Sequence, residues 1–149
     1  MKIVIITNCS KRKKQKAQQS LMAMNLQAAS IEHVANEWSQ EVMASKGDTL
    51  VAREQYVGRS FKEVKIIEKT VEFDWHIISA GLGLISSEKG IPSYDLTITN
   101  GSSNSIAQKL NCNSSIADWW AKINEKFNHE CFPIAKLLNN NKDSLFLFA

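Results

Sequence analysis

The pattern of apolar residues along the chain predicts alternating strands and helices. Residues 2–7 and 75–78 are short runs of β-branched and bulky apolar side chains, which are typical of strands buried on both faces of a parallel sheet. Between them, apolar residues recur every three or four positions over 20–44, where Ser30 starts the stronger half, and again over 60–72. This order predicts an α/β fold, a three-layer Rossmann-like domain with a mostly parallel central sheet.

Local signals place further elements. Ser60 with Glu63, and Ser115 with Asp118, have the spacing of a capping box at the start of a helix. Pro133 starts another helix. The final Leu-Phe-Leu-Phe-Ala stretch predicts a strand with mostly buried side chains. Such a strand is either the last one of the sheet or the point at which a longer chain is cut.

The segment that follows the strand at 75–78 is rich in small residues. Ser79, Ala80, Gly81 and Gly83 let a ligand or another backbone approach closely, and no helical period appears before residue 104. A segment this long without regular structure is more often a binding loop than a plain connector. Because ligands bind at the carboxyl ends of strands in open α/β sheets, we expect the functional site here.

Composition narrows the class of protein. The chain has 149 residues, 44% of them hydrophobic, which predicts a single domain over 1–149. No run of about 18 apolar residues and no signal-peptide pattern occurs, so we expect a cytoplasmic protein without a membrane span. The three cysteines, at 9, 112 and 131, match no zinc spacing and are expected to be reduced thiols.

The positive charge is concentrated just after the first strand. Five of the 18 lysine and arginine residues fall between 11 and 16, so the remainder of the chain is slightly acidic. This cluster suits contact with phosphate or nucleic acid, although a solvated charge run explains it equally well. Lys11 and Lys13 are the candidates for binding an anion. Ser10 is expected either to contact a phosphate or to make a local turn hydrogen bond.

Candidate reactive and binding groups lie near the predicted strand ends. Cys9 is a candidate nucleophile, because nearby ammonium groups favour a thiolate; the alternative is a small side chain packed at a strand end. Arg59 and Ser60 open a helix whose amino terminus suits an anion, or they simply cap it. Tyr56 and Tyr94 lie in Gly- or Pro-punctuated segments outside obvious core positions, which favours a ligand role for at least one.

Two further patterns concern cofactors and partners. Gly81-Leu-Gly83 lacks the third glycine and the distant acidic residue of a dinucleotide fingerprint, so no cofactor is predicted, and no metal site either. Trp119 and Trp120 are adjacent, and we do not expect both to face one core. One of them is expected to meet a protein partner or a second copy of the chain.

The motifs together resemble a family of bacterial and phage α/β domains of unknown function. Their pattern is S-C-x-K-x-K, Y-x-S-x-x-F, L-S-A-K-x-G-L-L and P-Y-D, in that order. The matching residues here are Cys9, Lys11, Lys13, Tyr56, Gly58, Phe61, Ser79, Ala80, Gly83, Leu84, Tyr94 and Asp95. Gly81 stands where the family usually has lysine. More distantly, Cys9-Ser-Lys-Arg-Lys resembles a segment in the carboxy-terminal part of archaeosine synthases, whose domains are similar to uracil-DNA glycosylases.

The resemblance implies a site for a nucleotide or a modified base. The first hypothesis is an enzyme that acts on a nucleotide, nucleoside or nucleic-acid base through glycosidic-bond or base-modification chemistry. Asp95 would be the general base or would orient water or ribose hydroxyls, and Tyr94 would stack on or hydrogen-bond the base. Lys11 and Lys13 would hold phosphate. Asp95 also fits a plain turn cap. The alternative hypothesis is a non-catalytic nucleotide-sensing or assembly subunit of a base-modification or phage-defence system.

Overall fold

A four-stranded sheet forms the centre of the computed structural model, which describes residues 1–45, 47–111 and 113–149. The strands and α-helices are, in chain order, β1 (Ile3–Asn8), α1 (Ile31–Ala44), β2 (Leu50–Val51), α2 (Ala52–Gln55), α3 (Arg59–Ile67), β3 (Asp74–Ser79), β4 (Gly83–Ser86), β5 (Gly90–Ile91), α4 (Ile116–Asn128), α5 (Pro133–Asn140) and β6 (Leu145–Phe148). The sheet order is β4-β3-β1-β6, and β2 pairs separately with β5. No helix in the described ranges is long and apolar enough to cross a membrane.

The two central strands are parallel, as the sequence predicts. β1 pairs with β3 from Val4 opposite Asp74 to Asn8 opposite Ile78, and β6 is parallel to β1 on its other side. Only β4 runs antiparallel, next to β3. The mixed α/β fold with a mostly parallel sheet is therefore confirmed. The register brings Cys9 and Ser79 out of the sheet at the same level, and the Cys9 amide donates to the Ile78 carbonyl at 2.8 Å.

Helix starts follow the sequence signals in three of four cases, and Pro133 is the first residue of α5 as predicted. Ser30 caps α1 and accepts a hydrogen bond from the His33 amide. Ser115 and Asp118 form the predicted capping box of α4. The predicted box at Ser60 is wrong, because α3 begins one residue earlier, after Gly58, with no side-chain cap. Its acidic partner, Glu63, pairs instead with Arg59 at 2.7 Å.

Several predicted boundaries change. The apolar pattern over 20–44 becomes two 3₁₀ turns, Gln19–Leu21 and Ala23–Asn25, before α1 starts. The helix predicted over 60–72 ends at Ile67. The segment from 79 to 104 was expected to lack regular structure, but it contains β4 and β5. These strands are only four and two residues long, so they show almost no period of their own.

The strand at the end of the chain is present, but the prediction of mostly buried side chains is wrong. Leu145, Leu147 and Phe148 are 41%, 44% and 64% exposed. β6 is the edge of the four-stranded sheet and pairs only with β1. An edge strand has a neighbour on one side only, so its side chains are covered less than those of the central strands.

Candidate functional site

Three tryptophans hold the turn that follows β3. The indole nitrogen of Trp120 donates to the Ser79 carbonyl at 3.2 Å, that of Trp119 to the Ala80 carbonyl at 2.9 Å, and that of Trp38 to the Gly81 carbonyl at 2.7 Å. Three successive carbonyl groups are thus bound by side chains of α1 and α4. This arrangement fixes the turn at the carboxyl end of β3.

Both adjacent tryptophans, Trp119 and Trp120, make their contacts within the chain. Trp119 is fully buried, and Trp120 is half-buried and packs against the same core cluster. The expectation that they cannot both face one core is therefore wrong, because the turn offers consecutive carbonyls that both indoles reach. A partner surface at Trp119 and Trp120 stays a prediction for which the structure gives no support.

Below this turn lies a buried cluster of three hydroxyl groups. The Tyr56 and Tyr94 hydroxyls are 2.7 Å apart, and the Ser79 hydroxyl lies 3.0 Å from Tyr56 and 2.7 Å from Tyr94. The Leu82 amide also donates to the Ser79 hydroxyl at 3.0 Å. Burial raises the pKa of both tyrosines, and the charge of Cys9 adds to this. The phenols are therefore neutral hydrogen-bonding groups.

The tyrosines belong to the core. Each is 1% exposed, which contradicts the expectation that they lie outside core positions. Mutual hydrogen bonding allows both phenols to be buried without an unsatisfied polar group. Neither lines an open surface, and the Tyr94 ring also meets Trp38 edge to face at 6.0 Å. Their role in the fold is to tie the segments of α2 and residue 94 to the end of β3.

Gly81 is required by close packing at this point. A Cβ atom there would lie 2.8 Å from the Tyr94 ring and 3.2 Å from the Trp38 ring. The family that the motifs of this chain resemble usually has lysine at the corresponding position. In this chain, no such side chain fits between the two rings without a shift of the core.

The ammonium of Lys13 lies over the rings of the tyrosine pair. It lies 4.3 Å from the centroid of the Tyr94 ring and 5.6 Å from that of Tyr56. It also donates to the Ser10 and Lys11 carbonyls at 3.3 and 3.2 Å. Burial lowers the pKa of Lys13, and the charges of Cys9 and Asp95 partly offset this effect. Lys13 is thus engaged within the chain by cation–π contacts and carbonyl groups.

An open groove of about 690 Å³ lies at the carboxyl ends of β1 and β3. Its walls come from the exit of β1, the end of β3, the loop after residue 95 and the first turn of α4. The lining residues are Asn8, Cys9, Ser10, Lys11, Ile78, Ala80, Leu96, Thr97, Ile98, Thr99, Ser102, Ile116, Ala117 and Trp120. This is the sheet edge at which the sequence predicted a site.

The groove combines a thiol, a cation and an apolar wall. The Ala80 amide donates to the Cys9 sulfur at 3.4 Å. Lys11 is exposed, and no ion pair with it is found in the part of the chain that the structure describes. The Ser10 hydroxyl donates to the Arg12 carbonyl at 2.7 Å, which is the local turn bond considered above. The apolar wall includes Leu96, Ile116 and Trp120.

The structure brings some of the predicted site residues to the groove and places the others away from its lining. Cys9, Ser10 and Lys11 line the groove, and Ser79, Tyr56, Tyr94, Gly81 and Lys13 lie in or beside the core beneath it. Asp95 is half-buried; its amide and carbonyl pair with Leu21 and Ala23, and its charge acts on Lys13. Gly83 has a φ of 78° and packs against Asn124. Arg59 and Ser60, at the start of α3, do not line the groove.

Potential metal ligands and similar proteins add no further assignment. Within residues 1–45, 47–111 and 113–149, no group of three or more histidine, cysteine or acidic side chains is arranged to hold a metal ion. Cys9 and Cys131 are free thiols, and Cys112 lies outside the described residues. Comparisons with protein-family models, curated proteins and solved structures found no match. The family resemblance drawn from the motifs stays a prediction.

Proposed function

We propose that this protein is an enzyme that acts on a nucleotide, nucleoside or nucleic-acid base bound in the groove at the ends of β1 and β3. The observation that carries the proposal is the make-up of the groove. Its lining combines apolar and aromatic side chains, among them Trp120, with the polar or charged side chains of Ser10 and Lys11 and the thiol of Cys9. A flat heteroaromatic ring suits the apolar and aromatic side chains, and an anionic or polar group suits the others.

Cys9 is the proposed reactive group. It lines the groove, where a ligand has access, and the Ala80 amide donates to its sulfur. Lys11 is the proposed anion-binding residue. We propose that the Asp95 carboxylate acts through Lys13 and not as a general base in the groove, because its charge acts on that ammonium and it is not among the lining residues.

A second candidate is a binding protein without turnover. The observation in its favour is that only Cys9 of the two residues predicted to be catalytic lines the groove. In this case, the groove would sense a nucleotide or help to assemble a base-modification or phage-defence system, as the resemblance implies. Both candidates place the ligand at the same surface and differ in turnover alone.

We further propose that the sheet is the middle layer of a three-layer Rossmann-like arrangement. Val4, Ile5 and Ile6 are consecutive in β1 and are all buried, and successive side chains of a strand point to opposite faces. Both faces of β1 are therefore covered. An experimental structure with helices on only one face of the sheet would contradict this arrangement.

The function is tested by recovering the ligand and then measuring its conversion. The purified protein is denatured, and released small molecules are identified by mass spectrometry; a nucleotide, nucleoside or base is expected. Turnover of that compound should be lost in Cys9→Ser. Cys131→Ser is the matched control, because Cys131 is also a free, half-buried thiol but does not line the groove.

Three outcomes separate the candidates. Turnover that depends on Cys9 and not on Cys131 supports the enzyme. Binding without conversion by the unmodified protein supports the sensor. If no nucleotide, nucleoside or base is released, and none binds in titrations at millimolar concentration, both candidates are wrong.

A further inference from the structure

Charge in the groove narrows the class of ligand. We infer that the groove takes a nucleotide with a single phosphate group, a nucleoside monophosphate, in preference to a nucleoside or a nucleoside triphosphate. This inference rests on the proposed function and deepens it. Among the lining residues that the structure describes, Lys11 is the one charged side chain, so one anionic group is matched and additional ones are not.

The lysine two positions further along is already engaged, because the Lys13 ammonium donates to two backbone carbonyls and lies over the tyrosine rings. Arg12, which stands between them, is exposed and is not among the lining residues. Ile116 and Ala117, which also line the groove, are the first two residues of α4, and the amino end of this helix is already occupied by the capping box of Ser115 and Asp118. Lys11 alone does not provide the several fixed donors that a triphosphate requires.

The rest of the groove suits a nucleoside. Trp120, Ile116 and Leu96 provide an aromatic and aliphatic surface for a base. Thr97, Thr99 and Ser102, on the loop after residue 95, provide hydroxyl groups for the hydroxyls of a sugar. The volume of about 690 Å³ lies within the range of about 300 to 1,000 Å³ that is usual for small-molecule sites.

Tryptophan fluorescence offers a local measurement of binding. Of the four tryptophans, Trp38, Trp75 and Trp119 are at most 5% exposed, whereas Trp120 is half-buried and lines the groove. A base that stacks in the groove should therefore quench mainly Trp120. Titrations compare adenosine, guanosine, cytidine and uridine with their 5′-monophosphates and 5′-triphosphates, and isothermal calorimetry gives an independent affinity.

Variants connect the phosphate preference to Lys11. For a monophosphate, Lys11→Ala should weaken binding by about tenfold to 100-fold, because a hydrogen bond to a charged group is lost. It should leave binding of the corresponding nucleoside unchanged. Lys142→Ala removes the same charge at the opposite edge of the sheet, before β6 begins, and should change neither. Trp120→Phe should abolish the quenching while calorimetry still detects binding.

The outcomes separate this inference from the proposed function. Nucleosides that bind as tightly as monophosphates, or triphosphates that bind more tightly, overturn the single-phosphate inference and leave the proposed function standing. If no base, nucleoside or nucleotide produces quenching or heat, both are overturned. A 5′-phosphorylated tetranucleotide that binds with the same dependence on Lys11 supports the inference and identifies the end of a strand as the source of the nucleotide.

Discussion

Adding a single methyl group at Gly81 should destabilise the fold. In Gly81→Ala, the new Cβ atom would lie 2.8 Å from Cε2 and 3.1 Å from Cδ2 of Tyr94, and 3.2 Å from the Trp38 ring. Neither ring moves freely, because the Tyr94 hydroxyl is bonded to Tyr56 and Ser79, and the Trp38 indole donates to the Gly81 carbonyl. The clash must therefore be relieved by a shift of the buried core.

The expected magnitude follows from two opposing effects. Overpacking a buried site costs about 1 to 3 kcal/mol, and the rigid surroundings favour the upper half of that range. Replacing glycine with alanine lowers the entropy of the unfolded chain and returns about 0.4 to 1 kcal/mol. A net loss of about 1 to 2.6 kcal/mol should lower Tm by about 2 to 10 °C for a chain of this size.

The assay is thermal and urea unfolding, with Gly90→Ala as the matched control. At Gly90, the nearest atom to the added Cβ would be the Thr49 hydroxyl at 3.5 Å, an ordinary contact, so stability should hold or rise slightly. In a Tyr94→Leu background, Gly81→Ala should cost less, because the ring that it meets is absent. Equal Tm values for Gly81→Ala and the unmodified protein would refute the argument from packing.

Two further predictions concern buried polar groups and pH. Tyr94→Phe leaves the hydroxyls of Tyr56 and Ser79 without one of their partners and should lower the free energy of unfolding in urea by about 1 to 3 kcal/mol. The double variant with Tyr56→Phe should lose less than the sum of the two single variants, because the hydroxyls bond to one another. Additive losses would argue against a single cluster. Burial holds the pKa of His76 below its usual 6.5; the charge of Asp74 opposes this shift and that of Lys2 adds to it. The unfolded state therefore binds the proton more readily than the folded state. The free energy of unfolding should fall as pH drops from 6.5 toward the pKa of the folded state. His76→Gln should flatten that part of the stability curve, and an unchanged slope would contradict the assignment.

The sequence predicts those features that depend on local patterns or on general rules of topology. Two β-branched runs separated by helices were enough to make β1 and β3 parallel neighbours, and this adjacency predicted that Cys9 and the turn after Ser79 would meet. The capping box at Ser115 formed because both of its partners were available. At Ser60 the same spacing failed, since Arg59 competes for Glu63 and the helix starts after Gly58.

The remaining features arise from contacts between distant parts of the chain. Tyr56 and Tyr94 are 38 residues apart, and nothing near either residue shows that the two hydroxyls meet over Ser79. The apolar wall of the groove combines Leu96 with Ile116 and Trp120, which no local period connects. The adjacent tryptophans were a sequence signal for this region of the fold, because two neighbouring indole N–H groups require hydrogen-bond acceptors.

The three indoles that bind successive carbonyls also determine which part of the groove can open locally. Releasing the turn at 79–81 requires breaking bonds from both α1 and α4, so this wall should exchange its amide hydrogens almost as slowly as the core. The loop from 97 to 105, which also lines the groove, is closed largely by hydrogen bonds among its own residues, and Ile98 is 47% exposed. Local opening should therefore be confined to that loop, and adaptation to ligands of different shape would come from one side of the groove.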